Sequence, residues 1–208
     1  DFYVHPICSP TRAALLTGCY APRTGFPDVH VWGSPFGLNP EEVTIAEILN
    51  TKSYSTACIG KWHLGEEDEF APNQQGFEYF YGIRLVNGTQ KFENFAVPLF
   101  RNDSLITMRP DHSRMTRDFT DESITFIDNN KEEPFFLYLA YTMPHIPIYP
   151  GDGFRGKSGI SLYADVIEEI DWNVGRIINK LKQEGLDENT LIIFASDNGP
   201  WAGHGDQS

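Results

Sequence analysis

The feature that most restricts the fold is a helical pattern followed by a short apolar run, repeated three times along the chain. Apolar positions at helical spacing extend over about 40–49, 116–130 and 162–181, and each stretch precedes a strand-like run, at 54–59, 135–141 and 191–195. Strands that are apolar on both faces are typical of parallel sheets covered by helices. The sequence therefore predicts an α/β fold with a largely parallel sheet and helices on both faces.

Local signals predict where the helices begin and end. Asn39 and Pro40 supply a cap and a proline suited to the first helical position, so the first helix is expected to begin at about residue 40. Gly185 suits the C-terminal end of the third helix. The segment 82–110 is rich in Asn, Gly and Pro, which predicts an irregular excursion over the surface or the rim of a site. With 208 residues, the chain is long enough for one domain but short for two.

The charge balance excludes several classes of partner. The chain has 29 acidic and 16 basic residues, a formal net charge of −13, so its average surface repels nucleic acid and anionic membranes. No stretch approaches the roughly 20 apolar residues of a membrane helix. An anionic substrate would need a locally basic pocket. The three cysteines cannot form a closed disulfide framework, and we interpret Cys19 and Cys58 as buried thiols.

Polar side chains follow each of the three predicted strands. Lys61 and His63 come after the first strand, His145 after the second, and Asp197 and Asn198 after the third. In parallel sheets, ligands bind beyond the carboxyl ends of the strands. These residues are therefore expected to share one site. Taken singly, each has an ordinary alternative: a solvated lysine, a structural histidine or a turn.

A cysteine near the start of the chain is a candidate nucleophile. Pro10 is suited to open a helix, which places Cys8 at a helix N-terminus where free N–H groups and the helix dipole stabilise an anion. Arg12, one turn further on, can point back toward the same anion. A cysteine beside an arginine is by itself weak evidence, because buried structural cysteines are more common than reactive ones.

Four strings in this order resemble the sulfatase family. They are C-S-P-T-R at 8–12, G-K-W-H-L-G at 60–65, T-M-P-H-I-P at 142–147 and S-D-N-G-P at 196–200. The resemblance covers nearly the entire chain. It implies an alkaline-phosphatase-like fold and hydrolysis of sulfate monoesters on an aryl group or a sugar. It also implies a maturing enzyme that oxidises the cysteine of C-x-P-x-R to formylglycine.

The resemblance also implies catalytic roles for five residues. Cys8, as hydrated formylglycine, would attack sulfur and later expel sulfate, and Arg12 would hold its hydroxyl and balance its charge. Lys61 and His63, two apart on a segment expected to be extended, would reach the sulfate. His145 would bind the sulfate or protonate the leaving group.

A metal site is implied as well. Asp197, Asn198 and the modified Cys8 would be ligands of Ca²⁺ or a similar divalent ion, for which oxygen ligands are suited. The resemblance further implies an acidic pair on an earlier strand, a later lysine and a C-terminal subdomain. Residues 1–208 are therefore expected to be part of the catalytic domain, truncated at both ends, from a periplasmic, secreted or lysosomal protein.

Two other functions remain open from the sequence. A phosphate or phosphonate ester hydrolase of the same superfamily would bind a similar tetrahedral anion. A non-catalytic fragment could retain the fold and only bind anions. Two further features carry no functional prediction: His30 matches no ligand pattern, and the acidic run 66–69 is interpreted as a solvated loop.

Overall fold

The computed structural model describes residues 3–86 and 97–200. Their helices are α1 (Cys8–Thr17), α2 (Ile45–Asn50), α3 (Met115–Asn130) and α4 (Leu162–Gln183), and their strands are β1 (Ser55–Lys61), β2 (Tyr79–Ile83), β3 (Leu99–Arg101), β4 (Ser104–Thr107) and β5 (Phe135–Ala140). Among the helices of this described part, none is long and apolar enough to cross a membrane. The predicted α/β class is confirmed.

The sheet has a parallel centre and an antiparallel edge. Its strand order is β4-β3-β2-β1-β5, with β1 parallel to both β2 and β5, while β3 pairs antiparallel with β2 and β4. The antiparallel edge arises because β3 and β4 form a tight hairpin. Asn102 sits in its turn with a φ of 51°, and its Oδ1 accepts the N–H of Phe80. The prediction of an irregular excursion over 82–110 is wrong for this hairpin, and 87–96 lie outside the described residues.

Helices cover both faces of the sheet, as predicted. Alternate residues of β1 point to opposite faces. Cys58 packs in the cluster that contains Leu16 of α1 and Ala46 of α2, whereas Ile59 packs in the cluster that contains Phe119 of α3. The long helix α4 lies against α3. The central strand is therefore buried on both sides, which fixes the position of its carboxyl end.

The start of α2 differs from the prediction. Asn39 caps only a turn, accepting the N–H of Glu41, and the helix begins after Thr44. Thr44 and Glu47 form a capping box in which each side chain accepts the other residue's N–H. This reciprocal arrangement satisfies two N–H groups at the helix start. The helices α3 and α4 lie where the sequence predicts them, and Gly185 follows α4 in the left-handed conformation.

The apolar run 191–195 does not form the buried strand that the sequence predicts. It pairs with no strand of the described residues, and Leu191, Ile193 and Phe194 are exposed. An apolar pattern indicates a tendency to be buried, but a strand also requires a neighbour about 4.8 Å away. Such a neighbour is missing within residues 3–86 and 97–200. The prediction of a buried thiol is confirmed for Cys58 and wrong for Cys19, which is exposed.

Candidate active site

Cys8 begins α1, as predicted from Pro10. Ile7 precedes it in an extended conformation, and the Cys8 side chain is buried against residues from the far end of the chain. Its Sγ donates a hydrogen bond to Oδ1 of Asn198 at 3.3 Å. The predicted nucleophile therefore lies beside one of the predicted metal ligands.

Arg12 connects three segments of the site. Its Nε and Nη2 donate to Oδ2 of Asp197 at 3.0 and 2.7 Å, and its Nη1 donates to the carbonyl oxygen of Lys61 at 2.6 Å. Burial raises the pKa of Asp197, but the positive charges of Arg12 and then Lys61 lower it by more than burial raises it. The pKa of Asp197 is therefore below its usual value. Asp197 is therefore a carboxylate at neutral pH. Arg12 is held by these acceptors rather than pointing only at Cys8.

Lys61 is a buried cation at the carboxyl end of β1. Its residue is only 2% exposed, and burial followed by the charge of Arg12 lowers the pKa of its amine to about 8. A hydrogen bond with the Cys8 side chain partly offsets this effect. Lys61 therefore remains mostly charged at neutral pH and places a buried cation at the carboxyl end of β1.

His63 departs from the extended conformation expected for it. Its φ is +63°, in a region that residues other than glycine seldom adopt. The backbone is held there because His63 N–H donates to the carbonyl of Arg84 and Nε2 lies 3.0 Å from the carbonyl oxygen of His30. Burial, followed by the charges of Lys61 and Arg12, lowers the pKa of His63 well below its usual value. The imidazole is therefore neutral.

His145 lies in the loop after β5. Burial, and then the charge of Lys61, lowers the pKa of His145 to about 4. Its Nδ1 lies 2.5 Å from the carbonyl oxygen of Ile146, which can only accept, so Nδ1 carries the proton of the neutral ring. Proton donation to a leaving group would thus require a second proton at Nε2.

The donors for a metal ion form only part of a ligand shell. Asp197 and Asn198 bring hard oxygens next to Cys8, but Oδ2 of Asp197 already accepts two hydrogen bonds from Arg12. Across the residues that the structure describes, no group of three or more His, Cys, Asp or Glu could hold a metal. Calcium takes about 6 to 8 oxygens. The side-chain oxygens of Asp197 and Asn198 are of the kind that calcium prefers. These two side chains supply fewer than half of the ligands that a calcium ion takes.

Several residues around the site were not predicted. The Ser9 hydroxyl accepts the N–H of His30 at 3.0 Å, and the hydroxyl of Tyr138 lies 3.4 Å from Nη1 of Arg12. Glu66 Oε1 accepts the N–H of Gly33 at 2.7 Å, so the interpretation of 66–69 as a solvated loop is wrong at Glu66. Ser9 lies within the C-S-P-T-R string, which could have drawn attention to it. His30 left no sequence signal, because its contacts with Ser9 and His63 are made by backbone atoms; its ring Nε2 lies 3.6 Å from Oε1 of Glu66.

The predicted residues meet as one cluster. Direct hydrogen bonds join Cys8 to Asn198 and Arg12 to both Asp197 and Lys61. His63 and His145 lie within the electrostatic reach of Lys61. The cluster is assembled from the start of α1, the end of β1, the loop after β5 and 197–198, and a family model described as Sulfatase matches residues 1–207 around it.

The chain belongs to the sulfatase family. It is 35% identical to human arylsulfatase A over 96% of this chain and 44% of that protein. Among solved structures, it matches the PsFucS1 sulfatase of Pseudoalteromonas sp. with a TM-score of 0.85 and 30% identity, over 95% of this chain and 46% of that one. Ps i-CgsB, solved in complex with k-i-k-neocarrahexaose, matches with a TM-score of 0.76 and 30% identity, over 88% and 46%. This sulfatase chain thus spans less than half the length of these relatives.

Proposed function

We propose that the full-length protein hydrolyses sulfate monoesters with a nucleophile made from Cys8. The observation that carries this proposal is a pair of buried cations beside residue 8: Lys61 hydrogen-bonds the Cys8 side chain, and Arg12 acts on that side chain electrostatically while it is paired with Asp197. The chain as a whole has a formal charge of −13. In such an acidic protein, a buried pair of cations is suited to bind an anionic group that has left the solvent.

Maturation of Cys8 to formylglycine would supply the reactive oxygens. One hydroxyl of the hydrated aldehyde would attack sulfur and displace the alcohol. The second hydroxyl would then lose its proton, expel sulfate and restore the aldehyde. This covalent route divides one difficult displacement into two easier steps. The N-terminus of α1, on which residue 8 lies, favours the negative charge that develops there.

Lys61 is the proposed electrostatic anchor for the sulfate. Its ammonium is buried, so its attraction to an anion is screened less than it would be at the surface. Arg12 would act beside it by balancing charge and by holding the Asp197 carboxylate and the Lys61 backbone in place. His63, neutral and buried next to these cations, would complete the pocket at the end of β1.

His145 is the proposed partner of the leaving group. Its neutral form presents no proton at Nε2, because the ring proton is on Nδ1. A bound sulfate would bring negative charge close to the ring and favour protonation of Nε2. The proton could then pass to an alkoxide, which needs it more than an activated phenoxide does.

Asp197, Asn198 and the matured residue 8 would hold a divalent cation in the proposed mechanism. Their contacts support this, since Asn198 Oδ1 already lies against the side chain at position 8. When bound, Ca²⁺ or a similar ion would polarise the sulfate S–O bond. The described residues do not complete its ligand shell, so the roles above are derived for the protein side chains alone.

The substrate class favoured here is a sulfated sugar or aryl compound. One structural relative at 30% identity supports the sugar alternative, since it was solved in complex with k-i-k-neocarrahexaose. The proposed partner in biosynthesis is a formylglycine-generating enzyme. Specificity for one sugar would depend on loops around the site rather than on the core residues.

The test is a comparison of esters with the full-length protein, coexpressed with a maturing enzyme. We expect hydrolysis of aryl sulfates, loss of essentially all turnover in Cys8→Ala, and weaker hydrolysis of the matched phosphonate esters. Preference for phosphonate esters would favour the alternative hydrolase. A matured protein that binds sulfate but hydrolyses neither ester would support the non-catalytic alternative.

A further inference from the structure

The segment 28–34 is tied to the site through its backbone. His30 N–H donates to Ser9 Oγ, the His30 carbonyl oxygen lies 3.0 Å from His63 Nε2, and Gly33 N–H donates to Glu66 Oε1. Ser9 is completely buried in the first turn of α1, directly after Cys8. The His30 peptide therefore connects the helix that carries the nucleophile to His63.

This connection determines which nitrogen of His63 carries the proton. A carbonyl oxygen can only accept a hydrogen bond, so Nε2 must be the donor. Nδ1 is buried and has no hydrogen-bond partner within the part of the chain that the structure describes. In the neutral ring, Nδ1 is then a bare acceptor.

Neighbouring charges disfavour a second proton on this ring. Lys61 and Arg12 are cations that act on His63, and the residue is only 1% exposed, so water screens their repulsion poorly. The His63 backbone has a positive φ, a conformation that persists only where surrounding contacts enforce it. The contact between His63 Nε2 and the His30 carbonyl is one of these enforcing contacts. If the His30 carbonyl were displaced, neither the tautomer nor the orientation of the His63 ring would remain fixed.

We propose that Ser9 and His30 are positioning residues that hold His63 as the Nε2–H tautomer and leave its buried Nδ1 as a hydrogen-bond acceptor. Ser9 accepts the His30 N–H and thereby fixes the orientation of the His30 backbone. The carbonyl group of His30 then points at Nε2 of His63. The importance of this tautomer for turnover rests on the proposed function. The tautomer itself does not, because it follows from hydrogen bonds alone.

The decisive measurement is the ¹⁵N spectrum of the imidazoles in the full-length protein, with His63 assigned from a His63→Gln difference spectrum. We expect the Nε2–H pattern in the wild type and in Ser9→Thr, which keeps the hydroxyl. Ser9→Ala should shift His63 toward a mixture of tautomers. Glu66→Ala removes the acceptor of the Gly33 N–H in the same segment, so it should cause a smaller shift of the His63 tautomer. This variant is the substitute test if Ser9→Ala does not fold.

Ser123→Ala is the matched control. It also removes a buried serine hydroxyl, one that donates to Phe119 within α3 and not toward the site. Its imidazole spectrum should equal that of the wild type. An Nδ1–H or doubly protonated His63 in the wild type at neutral pH would overturn the proposal. So would a His63 tautomer that is unchanged in the folded Ser9→Ala protein, or in Glu66→Ala if Ser9→Ala does not fold.

Kinetics give a second readout. Because Ser9 lies in the maturation string, the formylglycine content of each variant is measured by mass and rates are normalised to it. Ser9→Ala should lose about 10- to 100-fold in kcat, by analogy with the loss seen when the hydrogen-bond partner of a metal-ligating histidine is removed, with KM affected much less. Ser9→Thr should restore the rate. If the wild type hydrolyses no sulfate ester, the proposed function fails while the tautomer result stands.

Discussion

Replacing Lys61 by Met should stabilise the protein at neutral pH while removing the proposed sulfatase activity. The buried ammonium carries a cost, because burial followed by the charge of Arg12 lowers its pKa from 10.5 to about 8. At about 1.4 kcal/mol for each unit of pKa, this difference corresponds to about 3 kcal/mol of native-state stability. Methionine fills a similar volume without a charge, so Lys61→Met should recover a large part of that energy.

The sign of the effect can be tested through its pH dependence. The folded pKa lies below the unfolded one, so between pH 8 and 10.5 the unfolded chain binds more protons at Lys61. The stability of the wild type should therefore rise with pH across this window, and the full cost is present below it. Lys61→Met has no such titration. Its advantage over the wild type should fall by about 2 kcal/mol between about pH 6.5 and pH 9.5.

The assay is urea unfolding of the full-length protein at several pH values, with Lys182→Met as the control. Lys182 is an exposed lysine of α4, so its replacement should shift stability little and without this pH dependence. Turnover of an aryl sulfate is measured in parallel. If the difference in unfolding free energy between Lys61→Met and the wild type were the same at pH 6.5 as at pH 9.5, the claim of a costly buried charge would be refuted.

Three further predictions concern the chemistry. Coexpression with a maturing enzyme should convert Cys8 to formylglycine, which peptide mass detects, and a thiol that stays unmodified would count against the proposed nucleophile. His145→Ala should reduce turnover of poor leaving groups more than that of activated aryl sulfates, because only the former need a proton; equal losses would indicate a role in binding. By titration calorimetry, residues 1–208 alone should bind Ca²⁺ weakly, since Asp197 and Asn198 are the two side-chain donors beside Cys8 in the described part of the chain. Affinity equal to that of the full-length protein would show that other ligands had been overlooked.

The sheet and its two covering layers could be predicted because local patterns determine them. The apolar run before Lys61 and the spacing in α4 each indicate an element type without reference to the rest of the chain. The run 191–195 has an equally strong apolar pattern yet pairs with no described strand. Strand pairing depends on a neighbour, and a single segment carries no information about whether that neighbour is present.

The candidate site was predictable to the extent that motifs mark it. Lys61, Asp197 and Cys8 lie in recognisable strings and do come together. The Asp197 contacts of Arg12 were not predictable, because they depend on the relative position of α1 and residue 197 in three dimensions. His30 was missed since a backbone carbonyl is present at every residue and leaves no mark in the sequence.

The contact between Cys8 and Asn198 also has a consequence for the timing of biosynthesis. The two residues are 190 positions apart, so the ribosome must add all of that chain before the thiol can meet its partner. At a typical rate of synthesis, this interval is roughly 10 to 40 s. Throughout it, the C-S-P-T-R string is on the growing chain without the contact that later covers its cysteine. The maturing enzyme proposed above would therefore have its best access to Cys8 before residue 198 has been added.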